Sequence, residues 1–246
     1  MIRNAPMLAL MLLVLACAVD PARPDAPEGR LQSRPGPPDL PPEAPGLHEL
    51  DIGGGRVALL YVPAGYRAGT PAPLVVMLHG AGGDARGGID PLLRFADEAG
   101  MLLLAPASRR ATWDVVAGGF GPDVAVIDKG LAHVFRRFAV DPGYLAVGGF
   151  SDGASYALSL GMTNGDLFTH ILAFSPGFTA PGDPVGRPGI YISHGVDDRV
   201  LPIDRTSRRL LPRLQQAGYQ VVYEEFPDGH TVPAAHAQRA LDWFLH

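Results

Sequence analysis

The chain has 246 residues, and its 31 glycines and 25 prolines are well above the usual content of both. No G-X-Y period runs through the sequence, so a collagen-like chain is excluded. The net charge is −5 and the 20 basic residues are scattered along the chain, which argues against a nucleic-acid partner.

Residues 1–16 have the features of an export signal. Arg3 precedes an apolar run over residues 6–16, which is too short to span a bilayer. The run ends in V-L-A-C at residues 14–17, which resembles a bacterial lipobox, where cleavage precedes a cysteine that is then lipidated. Because Leu15 is unusual in such a motif, an ordinary cleaved signal stays open. The sequence predicts an exported protein, either anchored to a membrane through a lipid at Cys17 or periplasmic or extracellular.

Residues 17–46 are predicted to form a Pro-rich tether. Nine prolines lie between residues 21 and 46, with few large apolar side chains among them. Such a segment stays extended because it cannot bury enough apolar surface to fold. Cys17 is the only cysteine, which excludes an intramolecular disulfide and a cysteine nucleophile. Residues 47–246 suffice for one catalytic domain.

From residue 47 onward, short apolar runs alternate with helical patterns. Strands are predicted at residues 47–52, 56–62, 74–79, 101–105, 144–148, 170–174, 190–194 and 219–226. Helices are predicted at residues 88–99, 123–139, 152–162, 203–217 and 233–246, with Asp123 as the N-cap of the second. Glycines join the first two strands into an antiparallel pair, whereas unbroken apolar runs are typical of parallel strands covered on both faces. The alternation predicts an α/β fold with a single doubly wound, mostly parallel sheet and helices on both faces.

The motif G-F-S-D-G at residues 149–153 lies between a predicted strand and a predicted helix. In that context a G-x-S-x-G motif indicates a nucleophile on a tight, strained turn. The flanking glycines are needed because a Cβ atom there would collide with the neighbouring strand and helix. Ser151 is therefore the candidate nucleophile at the carboxyl edge of the sheet.

A serine hydroxyl needs a base within hydrogen-bond reach and a carboxylate that orients the base. Two later strands end in suitable residues. Asp197 and Asp198 follow the strand at 190–194, and His230 follows the strand at 219–226. Because the carboxyl ends of parallel strands share one edge, these residues are expected near Ser151, in the chain order serine, acid, histidine.

These motifs make residues 47–246 similar to the α/β-hydrolase-fold serine carboxylesterases of the phospholipase/carboxylesterase and polyhydroxybutyrate-depolymerase-like group. The resemblance implies an α/β-hydrolase fold, with Asp198 as the acid and His230 as the base. Asp228 stands where the family has the first glycine of a G-G-H-like turn. The H-G-A-G-G segment at residues 79–83 resembles the family's oxyanion segment, which implies the backbone amides of Ala81 and Asp152 as donors.

The segment T-W-D at residues 112–114 also resembles a part of these enzymes near the active site. Trp113 is expected either to form a wall of the substrate pocket or to pack under the loop as a buried anchor. About 46 residues separate Ser151 from Asp198, which leaves no room for a cap domain.

The motifs of nucleotide cofactors are missing from the sequence, as are those of catalytic metals. The predicted function is a serine esterase without cofactor or metal, which cleaves small or polymeric carboxylic esters through an acyl-enzyme. Two alternatives stay open: a surface-anchored binding module of the same fold that has lost catalysis, and a serine peptidase.

Overall fold

A computed structural model describes residues 29–53 and 55–246. Within these residues the chain forms eight β-strands and five α-helices. The strands are β1 (Gly46–Leu50), β2 (Ala58–Val62), β3 (Ala72–Leu78), β4 (Leu102–Ala105), β5 (Val140–Phe150), β6 (His170–Phe174), β7 (Gly189–Gly195) and β8 (Val221–Phe226). The helices are α1 (Ala85–Leu93), α2 (Pro122–Arg137), α3 (Asp152–Thr163), α4 (Ser207–Gln216) and α5 (Ala234–Leu245).

All eight strands belong to one sheet, in the order β1-β2-β4-β3-β5-β6-β7-β8. The pairs β1–β2 and β2–β4 are antiparallel, and the five pairs from β4–β3 to β7–β8 are parallel. The order reverses direction around β3, as in a doubly wound sheet. The prediction of a single, mostly parallel sheet with an antiparallel start is confirmed.

The sheet separates two apolar cores, and β3 contributes to both because successive side chains point to opposite faces. Leu74, Val76 and Leu78 enter one core, while Val75 and Met77 enter the other. Helices α2, α3 and α4 cover the first core, and α1 and α5 cover the second. The unbroken apolar run of β3 is thus explained by its coverage on both faces.

The start of α2 differs from the prediction that Asp123 is its N-cap. The helix begins at Pro122, with Gly121 as N-cap, because a proline favours the first helical position. The buried Asp123 carboxylate instead accepts the backbone N–H groups of Arg109 at 2.8 Å and Asp114 at 3.0 Å. Asp114 returns a contact, since its carboxylate accepts the Asp123 N–H at 2.8 Å.

Residues 29–45 do not behave as the free tether predicted for residues 17–46. Leu31 is 1% exposed within the core covered by α2 and α3, and Asn164 accepts its backbone N–H at 2.9 Å. Arg30 and Arg34 both contact Asp166, and these contacts lower the pKa of that carboxyl to about 2. Side chains later in the segment also contact the domain. Within the described part of the chain, residues 29–45 therefore pack on the domain that was predicted to begin at residue 47.

The packing of Leu31 leads to a stability prediction. Leu31→Ala should lower the free energy of unfolding by about 2–5 kcal/mol, because the substitution leaves a cavity in a core that cannot fully collapse. Leu47→Ala is the matched control, since Leu47 is 40% exposed and its loss should change stability by only about 0.5 kcal/mol. Urea unfolding of the two variants checks the difference. Equal, small effects would mean that the segment is a free tether.

The predicted signal over residues 1–16 and the lipidation of Cys17 fall outside the described residues. Among the residues that are described, no helix is long and apolar enough to cross a membrane.

Candidate active site

Ser151 lies in the turn between β5 and α3, in a conformation that side chains rarely adopt. Its φ of 59° and ψ of −120° place it in a strained region for a residue other than glycine. The turn is tight, because a Cβ atom at Gly153 would lie 2.2 Å from the Leu78 carbonyl oxygen. A Cβ atom at Gly149 would lie 2.4 Å from the backbone of Gly153. The glycines of the G-x-S-x-G motif are thus required by the close approach of β3 and α3.

The structure brings His230 and Asp198 to Ser151. His230 Nε2 lies 2.9 Å from Ser151 Oγ, and His230 Nδ1 lies 2.5 Å from Asp198 Oδ2. The three residues follow β5, β7 and β8, which are parallel and end at the same edge of the sheet. The Phe150 ring packs against the His230 imidazole with 4.6 Å between centroids. Asp197, the neighbouring acid in the sequence, is exposed to solvent.

The carboxylate of Asp198 is buried but well supplied with donors. Its Oδ1 accepts the backbone N–H groups of Val200 and Leu201, each at 2.8 Å, and Oδ2 faces His230. Burial alone would raise the pKa of Asp198, but the hydrogen bonds from His230, Leu201 and Val200 outweigh it and leave the pKa below its usual value. Asp198 is therefore ionised at neutral pH, and its carboxylate accepts a hydrogen bond from His230 Nδ1–H.

The segment at residues 79–83 follows β3 and lies against the nucleophile. A Cβ atom at Gly80 would lie 3.3 Å from Ser151 Cβ. Gly82 has a φ of +71°, and its N–H donates to the Ala111 carbonyl at 2.6 Å. Within residues 29–53 and 55–246, the N–H groups of Ala81 and Asp152 donate to no backbone carbonyl.

His79 is a structural residue of this segment. Its ring is fully buried, and burial lowers its pKa. The Ser108 N–H donates to Nε2 at 3.0 Å, so the ring proton is on Nδ1, which donates to the Gly80 carbonyl at 2.7 Å. His79 thus holds the segment in shape as a neutral imidazole.

The position of Trp113 decides between its two expected roles. The side chain is fully buried, and Nε1 donates to the His79 carbonyl at 2.8 Å. Its ring packs between those of His79 and Tyr156, at centroid distances of 4.9 and 5.1 Å. Trp113 is therefore a buried anchor beneath residues 79–83, and the substrate-wall role expected for it is wrong, since none of its surface is accessible.

Arg56 also supports the segment, and sequence reasoning missed it. Its guanidinium donates to the carbonyls of Gly83 at 2.7 Å, Ser108 at 3.0 Å and Arg110 at 3.1 Å. These contacts tie the turn at residues 79–83 to the loop at 108–112. Nothing in the sequence around Arg56 indicates this role, because all three acceptors are backbone groups distant along the chain.

Three buried hydroxyls on α3, each one helical turn from the next, hold the loop at residues 177–182. Every one of them donates to the carbonyl four residues earlier and accepts a backbone N–H from the loop. The pairs are Ser155 Oγ with Gly177 N at 2.9 Å, Ser159 Oγ with Ala180 N at 2.9 Å, and Thr163 Oγ1 with Gly182 N at 3.0 Å. The loop that follows β6 is thereby fixed to the helix that carries the nucleophile.

Removal of one of these hydroxyls should loosen the loop. Ser159→Ala leaves the Ala180 N–H without its acceptor and should lower the free energy of unfolding by about 1–3 kcal/mol. Limited proteolysis should then cut within residues 177–182 faster than in the wild type. Thr70→Ala is the control. Because Thr70 is exposed, its substitution should change neither the free energy of unfolding nor the rate of cleavage. Unchanged stability and cleavage in Ser159→Ala would contradict the role of the hydroxyls.

Comparison with known proteins identifies proteins that are similar to this chain. No family model matches the chain. A probable feruloyl esterase C of Aspergillus niger is 30% identical over 169 residues, which cover 65% of this chain and 60% of that protein. The chain thus spans about 60% of the length of the curated relatives that it matches.

Solved structures are similar over a larger part of the chain. Esterase PE8 superposes with a TM-score of 0.61 at 25% identity, over 75% of this chain and 95% of that one. The S-formylglutathione hydrolase of Staphylococcus aureus superposes with a TM-score of 0.67 at 15% identity, over 84% of this chain and 100% of that one. The chain has the α/β-hydrolase fold. Its similarity is to carboxylic ester hydrolases of that fold, among them feruloyl esterases, which confirms the resemblance drawn from the sequence.

Proposed function

We propose that the chain is a serine hydrolase that cleaves carboxylic esters through an acyl-enzyme. The observation that carries the proposal is the unbroken line of contacts from Ser151 Oγ through the His230 ring to the buried Asp198 carboxylate. A binding module of this fold would need neither a strained serine nor a base aligned on its hydroxyl. The esterase relatives support the same chemistry.

In the acylation step, Ser151 Oγ attacks the ester carbonyl while His230 Nε2 takes its proton. His230 Nδ1–H donates to Asp198, which holds the ring in the required tautomer and stabilises the imidazolium that forms. His230 then gives the proton to the departing alkoxide. The contacts between these atoms support the roles proposed for Ser151, His230 and Asp198.

The tetrahedral oxyanion would be bound by the backbone N–H groups of Ala81 and Asp152. Asp152 is the first residue of α3, so its amide lies at the positive end of the helix dipole, which favours a negatively charged oxygen there. Thr112 Oγ1 donates to the Asp152 carboxylate at 2.6 Å, which turns that side chain away toward the loop at 108–112. Water activated by His230 then hydrolyses the acyl-enzyme and restores Ser151.

Feruloyl esters are the first substrates that we propose, because the sequence relatives are feruloyl esterases. Between Ser151 and Asp198 the chain forms only α3, β6, β7 and their connections, and no cap is inserted there. A site without a cap suits an ester at the surface of a larger molecule, such as a hydroxycinnamoyl group on a polysaccharide. Acetylated sugars are a second class to assay alongside.

A fluorophosphonate probe tests the mechanism, and a substrate panel tests the class. The probe should label the wild type and leave Ser151→Ala unlabelled, since only an activated serine reacts. Labelling of neither protein would favour a binding module, and equal labelling of both would show that the reactive group is not Ser151. In the panel, feruloyl and aryl esters should be cleaved faster than matched amides. Amides cleaved as fast as esters would make the protein a peptidase.

For the N-terminus we propose export, with lipid attachment at Cys17 as the anchor. The proposal rests on the apolar run and the V-L-A-C motif of the sequence. Cys17→Ser should move the protein from the membrane fraction to the soluble fraction and abolish its labelling by radioactive palmitate. A variant that still partitions with membranes would rule out the lipid at Cys17.

A further inference from the structure

A second histidine packs directly against the acid of the candidate site. His194, in β7, is fully buried. Its Nε2 lies 2.9 Å from the Leu201 carbonyl oxygen and 3.1 Å from Asp198 Oδ2, the same oxygen that faces His230. On the other side of the ring, Nδ1 lies 2.7 Å from Ser207 Oγ at the start of α4. Every polar atom of the ring thus has a partner.

These partners determine where the ring carries its proton. The Leu201 carbonyl and the ionised Asp198 carboxylate can only accept hydrogen bonds, so Nε2 must be protonated. The Ser207 hydroxyl can donate, which lets Nδ1 accept. Burial lowers the pKa of His194, which favours the neutral ring with a single proton. His194 is therefore the Nε2–H tautomer.

We infer that His194 is a positioning residue, which fixes the Asp198 carboxylate for His230 by holding both Leu201 and the oxygen Oδ2. The inference rests on the proposed function. Leu201 is held at its two ends, because its carbonyl accepts from His194 while its N–H donates to Asp198 Oδ1 at 2.8 Å. The approach of the His194 N–H to Oδ2 then opposes rotation of the carboxylate.

The arrangement has a consequence for catalysis rather than for substrate binding. Asp198 must present one lone pair of Oδ2 to His230 Nδ1 throughout the reaction, as the imidazolium forms and is lost. A carboxylate that can rotate would orient the His230 ring less strictly toward Ser151 Oγ. His194 is fully buried behind the acid, so its loss should lower kcat and leave KM nearly unchanged.

Two substitutions separate the two sides of the ring. The amide nitrogen of His194→Gln can take the place of Nε2 and donate to Leu201 and Asp198. The shorter amide of His194→Asn reaches only the place of Nδ1, next to Ser207. We expect His194→Gln to keep kcat within about threefold of the wild type and His194→Asn to lose roughly 10- to 100-fold, the effect of one hydrogen bond to a charged group. Equal losses in both variants, or no loss in either, would overturn the inference.

A measurement on the wild type decides the matter if either variant fails to fold. The ¹⁵N chemical shifts of labelled histidines should identify His194 as the Nε2–H tautomer, and a proton on Nδ1 instead would overturn the inference. The proposed function is judged separately: a wild type that neither cleaves aryl esters nor reacts with fluorophosphonate would refute it. An active wild type whose two variants behave alike would refute the role of His194 alone.

Discussion

Ser151→Ala should lower kcat for a feruloyl or aryl ester about a million-fold, as loss of the nucleophile does in enzymes with a Ser-His-Asp triad. A factor of this size corresponds to about 8 kcal/mol of activation free energy. The variant lacks the hydroxyl that lies 2.9 Å from His230 Nε2. His230 therefore has no serine proton to accept, and no serine oxygen can attack the ester. Any residual rate would come from a water molecule bound near His230 and the amides of the turn.

The measurement is single-turnover and steady-state hydrolysis of the same ester by wild type and variant. Thr70→Ala is the control, since it removes an exposed hydroxyl, and its turnover should stay close to the wild-type value. A Ser151→Ala protein that hydrolyses the ester at a tenth of the wild-type rate or faster would exclude Ser151 as the nucleophile.

The parts of the fold that depend on local sequence could be predicted well. Runs such as that of β3 are apolar without interruption because both faces of the strand are covered, and this signal is local. The turn around Ser151 could also be predicted, because only glycine fits at positions 149 and 153, where a Cβ atom would collide with backbone atoms. The ends of β7 and β8 then put an acid and a histidine on the same edge as Ser151.

The parts that depend on distant partners could not be predicted. Leu31 lies in a Pro-rich segment, and its burial depends on a core built from residues far along the chain, which no local pattern reveals. Trp113 is as consistent with a pocket wall as with a buried anchor until the His79 carbonyl is seen to accept its N–H. Arg56 likewise acts through backbone carbonyls supplied by loops distant along the chain. Its side chain carries no distinguishing signal in the sequence.

Between the two adjacent acids, the largest effect is expected at Asp198. Asp198→Asn should lower kcat about 10⁴-fold, because an amide in this place can present a donor to His230 and hold it in the wrong tautomer. The substitution also removes the charge that stabilises the imidazolium. The substitution should also lower the free energy of unfolding, because the pKa of Asp198 is lower in the folded protein than in the unfolded chain. In the wild type, this contribution to stability is present above the unfolded-state pKa of Asp198 and is lost as the pH falls through the folded-state pKa.

Asp197→Asn is the control that the chain itself provides. Asp197 is adjacent in sequence, has the same chemistry and is exposed, whereas the side chain of Asp198 is fully buried against His230. The Asp197→Asn substitution should leave kcat and KM for the ester almost unchanged, because a solvated carboxylate contributes little to the electrostatic potential at His230. The reverse pattern, with Asp197→Asn inactive and Asp198→Asn active, would reassign the acid and require the loop at 196–200 to rearrange in solution. Steady-state kinetics of both variants, each checked by its thermal unfolding, therefore test the geometry of the acid as well as its identity.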